Sequence, residues 1–204
     1  MFSKPSACLG CPLYGNGQGF VPDEIREHAE VLFLAQNPGE HEENGTRVVG
    51  YGTRYGSRVT YLTEPCVPAP LIGPTGYLLE REYLPQARLT RNDISLANVL
   101  KCRMTVNGKR TNDMPVGKTL QACVTHCTRA YLKIPSSVRL VVAMGAHAWR
   151  FLHGPGTITD WRGFLAPGDT DTSTPVEDSH GPESPLADLE SGHDRRRVRK
   201  GRTP

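Results

Sequence analysis

The chain has 204 residues and a mass of 22.4 kDa, with 37% hydrophobic and 22% charged residues, 21 Gly and 17 Pro, which suits one turn-rich globular domain with an ordinary core. No run approaches the roughly 20 consecutive apolar residues of a bilayer span, and the opening Met1-Phe2-Ser3-Lys4-Pro5 has no apolar stretch resembling a signal peptide, so a cytoplasmic chain with no membrane contact is expected. The formal charge of +3 is uneven: residues 169–204 hold eight acids and six bases, leaving the rest at +5, a balance that permits a polyanionic partner without requiring one.

In chain order, residues 1–30 are rich in turns and contain Cys8-Leu9-Gly10-Cys11. The apolar run Val31 to Ala35 predicts a first strand, broken by the turn Gln36-Asn37-Pro38-Gly39. Thr46 to Ala69 reads as a long loop or a small hairpin. Gly76 to Leu84 spaces its Leu and Tyr residues as a helix does, with Pro85 expected to close it. Ile94 to Leu100 predicts a second strand running into Lys101-Cys102. A helix is predicted over Lys118 to Ile134, with Leu120, Cys123, Cys127, Ala130, Tyr131 and Ile134 on one side. Val138 to Met144 reads as a third buried strand, followed after Gly145 by the helix Ala146 to Leu152. Strands alternating with helices predict an α/β fold with a parallel sheet. From Asp169 to Pro204 large apolar residues are too few to offset ordering entropy, so residues 1–168 are expected to form the domain and 169–204 a disordered polar tail with a basic end.

Six cysteines in a chain without a secretion signal point to metal, redox or buried-thiol roles rather than structural disulfides. Cys8 and Cys11 have a spacing that lets two thiolates chelate one metal or cluster. Cys102, with Cys123 or Cys127, completes a four-thiolate set; the remaining one is then a small core residue.

Ligands of an open parallel sheet sit beyond the carboxyl ends of its strands. Here those ends are Gln36-Asn37-Pro38-Gly39, Asn98 and Gly145. An Asn amide offers one donor and one acceptor edge, which suits an imide or a nucleobase; the plainer alternative is that both Asn residues cap turns.

Cys8-x2-Cys11, Ala35-Gln36-Asn37-Pro38-Gly39 with Glu42 and Glu43, Pro70-Leu71-Ile72-Gly73-Pro74-Thr75-Gly76-Tyr77-Leu78-Leu79, Asn98-Val99-Leu100-Lys101-Cys102-Arg103 and Ala143-Met144-Gly145-x2-Ala148 together resemble the iron-sulfur uracil-DNA glycosylases, families 4 and 5, in the same order along roughly residues 8–165. The resemblance implies a three-layer α/β/α domain with a short central parallel sheet and a 4Fe-4S cluster. Its activity would be to flip uracil or another deaminated base out of DNA, as a monomer, and to hydrolyse the N-glycosidic bond in base-excision repair. Asn98 matches the residue that reads the uracil edge. Asn37 falls at the water-positioning, catalytic place, with Gln36, Gly39 and Leu71 as further substrate contacts. Cys8, Cys11 and Cys102 match cluster ligands, Cys123 is the expected fourth, and Cys127 is its rival.

Three departures accompany the resemblance. Leu71 stands where the family has a base-stacking Phe, so an aromatic such as Tyr51 or Tyr55 would have to replace it. The family's G-E-A-P-G reads Ala-Gln-Asn-Pro-Gly. Its last strand and H-P-S-x-L segment, the source of a catalytic His, have no clear counterpart beyond a poor echo at His180-Gly181-Pro182-Glu183-Ser184-Pro185-Leu186, so a domain cut short or replaced after Trp161-Arg162-Gly163 is expected. A catalytically weak or inactive iron-sulfur nucleic-acid-binding homologue is therefore the alternative, and a zinc-binding structural module a third reading. The basic run Arg195 to Arg202 reads as a phosphate-binding or simply solvated tail, and Gly50 to Gly56 as a single-strand-binding or plain surface loop. His126 and His147 read as core or surface histidines, and Glu42 and Glu43 as part of a charged loop.

Overall fold

Val31–Ala35 forms strand β1, the centre of a three-stranded sheet; β4 (Ile94–Asn98) lies on one side and β7 (Leu140–Ala143) on the other. This computed structural model describes residues 4–11, 13–14, 19–55, 58–106, 109–112, 115 and 117–153. Both pairings are parallel, with Val31 opposite Ile94 and Leu140. Parallel neighbours need long crossovers. The first is supplied by helix α1 (Glu40–Asn44), the antiparallel hairpin β2 (Thr46–Tyr55) and β3 (Arg58–Pro65), and the helical segment that follows. The second contains the short hairpin β5 (Met104–Val106) and β6 (Lys109–Thr111), then helix α4 (Gly117–Tyr131). Helix α5 (Ala146–His153) follows β7.

The continuous apolar run of β1 and the full burial of β4, Ser95 and Asn98 included, are those of strands covered on both faces. Successive side chains point to opposite faces, and the core divides accordingly. Ala35 and Ile94 pack with Leu71, Leu79, Leu84 and Leu96 on one face, joined by Val31 and Phe33. Leu32 and Leu34 pack with Ala97, Val99 and Ala148 on the other, together with Val124 of α4 and Phe151 of α5. Helices on both faces of a parallel sheet make this an α/β fold, as expected. The free edge of β4 is covered by Glu24, which exchanges two backbone hydrogen bonds of 2.9 Å with Leu96.

Several elements depart from the sequence reading. Pro85 does not close its helix. The segment runs through α2 (Pro74–Leu78), a π-helical turn (Leu79–Tyr83) and α3 (Leu84–Gln86), ending where Arg88 turns left-handed at φ 56°. A wider π turn already forgoes the regular i→i−4 bonds, so a proline without an N–H is accommodated just after it. Helix α4 stops at Tyr131, and Ile134 is exposed rather than on its buried side. β7 is shorter than predicted and only partly buried, as an edge strand should be. Thr46 to Ala69 contains a hairpin, β2–β3.

No helix among the described residues is long and apolar enough to cross a membrane. The chain divides into Met1–Gly168 and Asp169–Pro204; the second unit, with His180 and the Arg195 to Arg202 cluster, lies outside the described residues.

Candidate functional site

The sheet order brings the three chemically promising strand ends to one edge. Asn98 closes β4 directly opposite Ala35 at the end of β1, and the backbone pairing runs on, with Val99 N–H donating to Ala35 and Leu100 N–H to Gln36, both at 2.9 Å. Gln36 and Asn37 therefore leave β1 beside Asn98. On the other side of β1, Gly145 follows β7 with φ +97°, and Gln36 Oε1 lies 3.7 Å from where a side chain on Gly145 would begin.

Asn98 is only 2% exposed, and its Nδ2 is buried without a hydrogen-bond partner among the described residues. Leaving such a donor unpaired costs about 1–3 kcal/mol, which makes it a candidate ligand contact. The Asn98 backbone, by contrast, is held at both ends. Its N–H donates to Asp23 Oδ1 at 3.2 Å, and its carbonyl accepts from Lys101 Nζ. Lys101 and Asp23 are themselves a buried ion pair at 2.6 Å. Burial raises the Asp23 carboxyl above its ordinary value, while the Lys101 ammonium pulls it back down. Lys101 belongs to a motif visible in the sequence, but nothing in the sequence singles out Asp23 as its partner.

Asn37 is half-buried, and its Oδ1 is likewise buried without a partner among the described residues. Its Nδ2 donates to the Asn112 carbonyl at 3.2 Å and to Pro38 at 3.3 Å. Asn112 Oδ1 accepts from Arg103 Nε at 2.8 Å, and the Arg103 guanidinium lies 3.8 Å from Glu40 and 3.9 Å from Glu43. The Asn37 amide is thus oriented by a relay that sequence reading does not reveal. Glu42 and Glu43 correct the expectation of a charged loop: both are buried in α1. Glu42 Oε2 accepts the Gly39 N–H at 2.9 Å and Glu43 Oε1 accepts the Gly19 N–H at 3.1 Å, which stabilises negative charge in the first turn of α1. Gly39 accordingly serves the turn, where a side chain would meet Glu42 Oε2 at 2.7 Å.

Leu71 is 6% exposed, lies in the apolar cluster beneath β1 and β4, and takes a left-handed φ of 55°. That conformation is strained for a leucine. Arg91 holds it by donating to the carbonyls of Pro70 at 2.6 Å and Leu71 at 3.0 Å, while pairing with Glu24 and Glu80. Gly76 must be glycine, because a Cβ there would lie 1.6 Å from the Leu71 carbonyl oxygen. Tyr51 stands on the neighbouring hairpin, whereas the side chain of Tyr55 is outside the described residues.

The cysteines gather on the far side of Lys101. A small cleft is lined by Cys8, Cys11, Cys102 and Cys127, with Lys4, Lys101 and His126. Cys123 is fully buried in the adjoining apolar cluster with Leu13, Leu100 and Met104, a cluster that also takes in Cys127 and packs against Cys11. His126, read from the sequence as an ordinary histidine, brings a buried Nε2 with no partner among the described residues to the same cleft. Burial pushes the Cys102 thiol up to about 12, against the pull of Lys4, with Cys127, Cys8 and Cys11 adding to the rise. Burial likewise pushes Cys123 up to about 12, with Cys11 adding to the rise, and Cys127 up to about 11. Among the described residues no three His, Cys, Asp or Glu side chains are grouped as the ligands of a single metal ion. Cysteine thiolates are the donor type of an iron-sulfur cluster, and the four that line this cleft are the residues that could supply it.

Residues 22–178 match the family described as the uracil DNA glycosylase superfamily. The chain is 28% identical over 144 residues to the Type-4 uracil-DNA glycosylase of Thermotoga maritima, covering 71% of this chain and 59% of that protein. It is 25% identical over 145 residues to the Type-4 uracil-DNA glycosylase of Saccharolobus solfataricus, covering 71% and 54%. With that of Archaeoglobus fulgidus it shares 26% over 146 residues, covering 72% and 58%. The chain thus spans somewhat more than half the length of these relatives. A parallel sheet whose strand ends gather Gln36, Asn37, Asn98 and Gly145, and a match covering most of the sequence, lead to one conclusion: the chain belongs to the uracil DNA glycosylase superfamily.

Proposed function

We propose that the chain excises uracil from DNA by hydrolysing the N-glycosidic bond. The observation that carries this reading is the unpaired, buried Nδ2 of Asn98 at the edge where an α/β sheet takes its ligands. An Asn amide on a clamped backbone can donate to a uracil carbonyl and accept from its ring N–H, whereas cytosine presents the wrong pattern there. The unpaired Asn37 Oδ1 suits a water molecule poised for the anomeric carbon. Flipping a base costs a few kcal/mol, least for a mismatched or unpaired one, so deaminated or single-stranded DNA is the favoured substrate.

Cys8, Cys11, Cys102 and Cys127 would hold a 4Fe-4S cluster, Cys127 being preferred to Cys123 because it lines the cleft. When bound, the cluster supplies a covalent tie between the N-terminal segment, the end of β4 and α4. The alternative of a nucleic-acid-binding homologue with weak or no catalysis draws on Leu71, which sits in the core rather than offering an aromatic face to a base. A glycosylase assay on uracil-containing single- and double-stranded oligonucleotides, with protein purified without air, tests the proposal. Uracil release is expected; binding of these DNAs with no release from any of them replaces the enzyme by the binding protein.

A further inference from the structure

The β2–β3 hairpin takes no part in the candidate site, yet its composition and packing are those of a binding surface. It carries Arg47, Arg54 and Arg58 against one acidic residue, Glu64, which lies opposite Arg47; Arg47 also pairs with Glu80 of the π-helical turn. Tyr51 and Tyr61 are direct cross-strand partners, so their rings share one face of the ribbon, with centroids 5.9 Å apart. Tyr77 of α2 meets Tyr51 edge-on at 5.3 Å, and His41 of α1 meets Tyr61 edge-on at 6.1 Å. Four rings from four elements form a row, and Tyr51, between Tyr61 and Tyr77, is still 51% exposed. A large ring held in place by edge contacts while half of it faces water is preorganised for a flat partner.

The hairpin is also rooted next to the strand-end edge. Val48 N–H donates to the Ile72 carbonyl at 2.8 Å, and the two helices that brace its tyrosines grow directly out of the loops ending at Gly39 and Gly73. The hairpin and its α1 brace thus spring from the loop that carries Asn37 at the strand-end edge.

We propose that this face of the hairpin is a stacking surface for an unpaired DNA strand, with bases laid on Tyr51 and phosphates attracted by the arginines of the ribbon. Sequence-tolerant single-strand sites combine these two features, aromatic platforms and basic groups along one track. Its three arginines against one acid, Glu64, complement a polyanion rather than an apolar protein partner. The inference rests on the reading that the edge at Asn37 and Asn98 receives a base from DNA, and it adds the form of DNA that is held.

The test is binding of the full chain to a fluorescent, uracil-free single-stranded oligonucleotide and to the same sequence as a duplex, for wild type, Tyr51→Ala and Tyr51→Trp, each shown to be folded by its thermal melt. Wild type is expected to prefer the single strand. Tyr51→Ala should weaken single-strand binding about fivefold to a hundredfold, the range that base stacking on one aromatic ring supplies, with little change on the duplex, and Tyr51→Trp should retain it. No single-strand binding by wild type, or equal affinities for wild type and Tyr51→Ala, overturns the proposal. Equal weakening in Tyr51→Ala and Tyr51→Trp also overturns it, because the ring would then be a packing element. Uracil release with unchanged single-strand affinity in Tyr51→Ala defeats the hairpin alone. Loss of that affinity, with no release of uracil by wild type, defeats the glycosylase reading and leaves the hairpin standing.

Discussion

Lys101 Nζ lies 2.6 Å from each carboxylate oxygen of Asp23, and the same pair holds the Asn98 backbone by its N–H and its carbonyl. The side chains are 1% and 6% exposed. Removing one member strands a buried charge, which typically costs 3–5 kcal/mol. Lys101→Met and Asp23→Leu are each expected to lose about that much in denaturant unfolding, and the double variant much less than the sum of the two. Single-variant losses below about 1 kcal/mol would show that the pair does not hold the strand end.

Asn98→Ala separates recognition from packing. Because Nδ2 has no partner among the described residues, its removal should change stability by no more than about 1 kcal/mol. Affinity for uracil-containing DNA should fall far more than affinity for undamaged DNA, since a site built on such a bond rejects ligands that leave it unpaired. Equal losses on the two DNAs, accompanied by a large drop in melting temperature, would make Asn98 a structural residue.

Asn37→Ala should lower the rate of uracil release by at least about a hundredfold, the penalty of a misplaced reactant. Asn112→Ala, which removes the side chain linking Arg103 to this loop, should slow release less, with uracil-DNA affinity unchanged. Deleting residues 169–204 should leave release nearly unchanged. Loss of release on that deletion would place a catalytic group in the tail, His180 being the first suspect.

For the thiols, we predict about four irons per chain in protein purified anaerobically. Cys127→Ser should lose iron, and Cys123→Ser should retain it. Iron kept by Cys127→Ser and lost from Cys123→Ser would return the fourth ligand to Cys123, and stoichiometric zinc without iron would remove the cluster altogether.

Protein stripped of metal and kept reduced should be alkali-sensitive. Burial raises the folded-state values of Cys102 to about 12 and Cys127 to about 11, from an ordinary thiol value of 9.0. A raised value means that the folded state favours the protonated thiol. The stability this contributes is complete below about pH 9 and is lost as pH rises through 11 to 12. Thermal melts across that window should fall steeply for wild type and less steeply for Cys102→Ala; parallel falls would mean that other groups cause the loss.

Local chemistry was legible in the sequence wherever neighbouring residues decide the outcome. The apolar run Val31 to Ala35 reads as a buried strand with the polar turn at its carboxyl end, so pattern could place Gln36, Asn37 and Asn98 at strand ends, while their roles were implied by the family resemblance. Tertiary structure decided whatever depends on residues distant in the chain. Asp23 meets Lys101 across 78 positions, a pairing with no periodicity to betray it. Glu42 and Glu43 look solvated in sequence, and it is burial against Gly39, Gly19 and Arg103 that makes them part of the fold. Cys123 and Cys127 lie one helical turn apart, so spacing could not separate them; the course of α4 puts both in the apolar cluster beside Cys11, and of the two only Cys127 also lines the cleft with Cys8, Cys11 and Cys102. Pro85 shows the same limit from the other side: its ring dictates a missing hydrogen bond, but the packing of Leu79 and Leu84 keeps the chain helical around it.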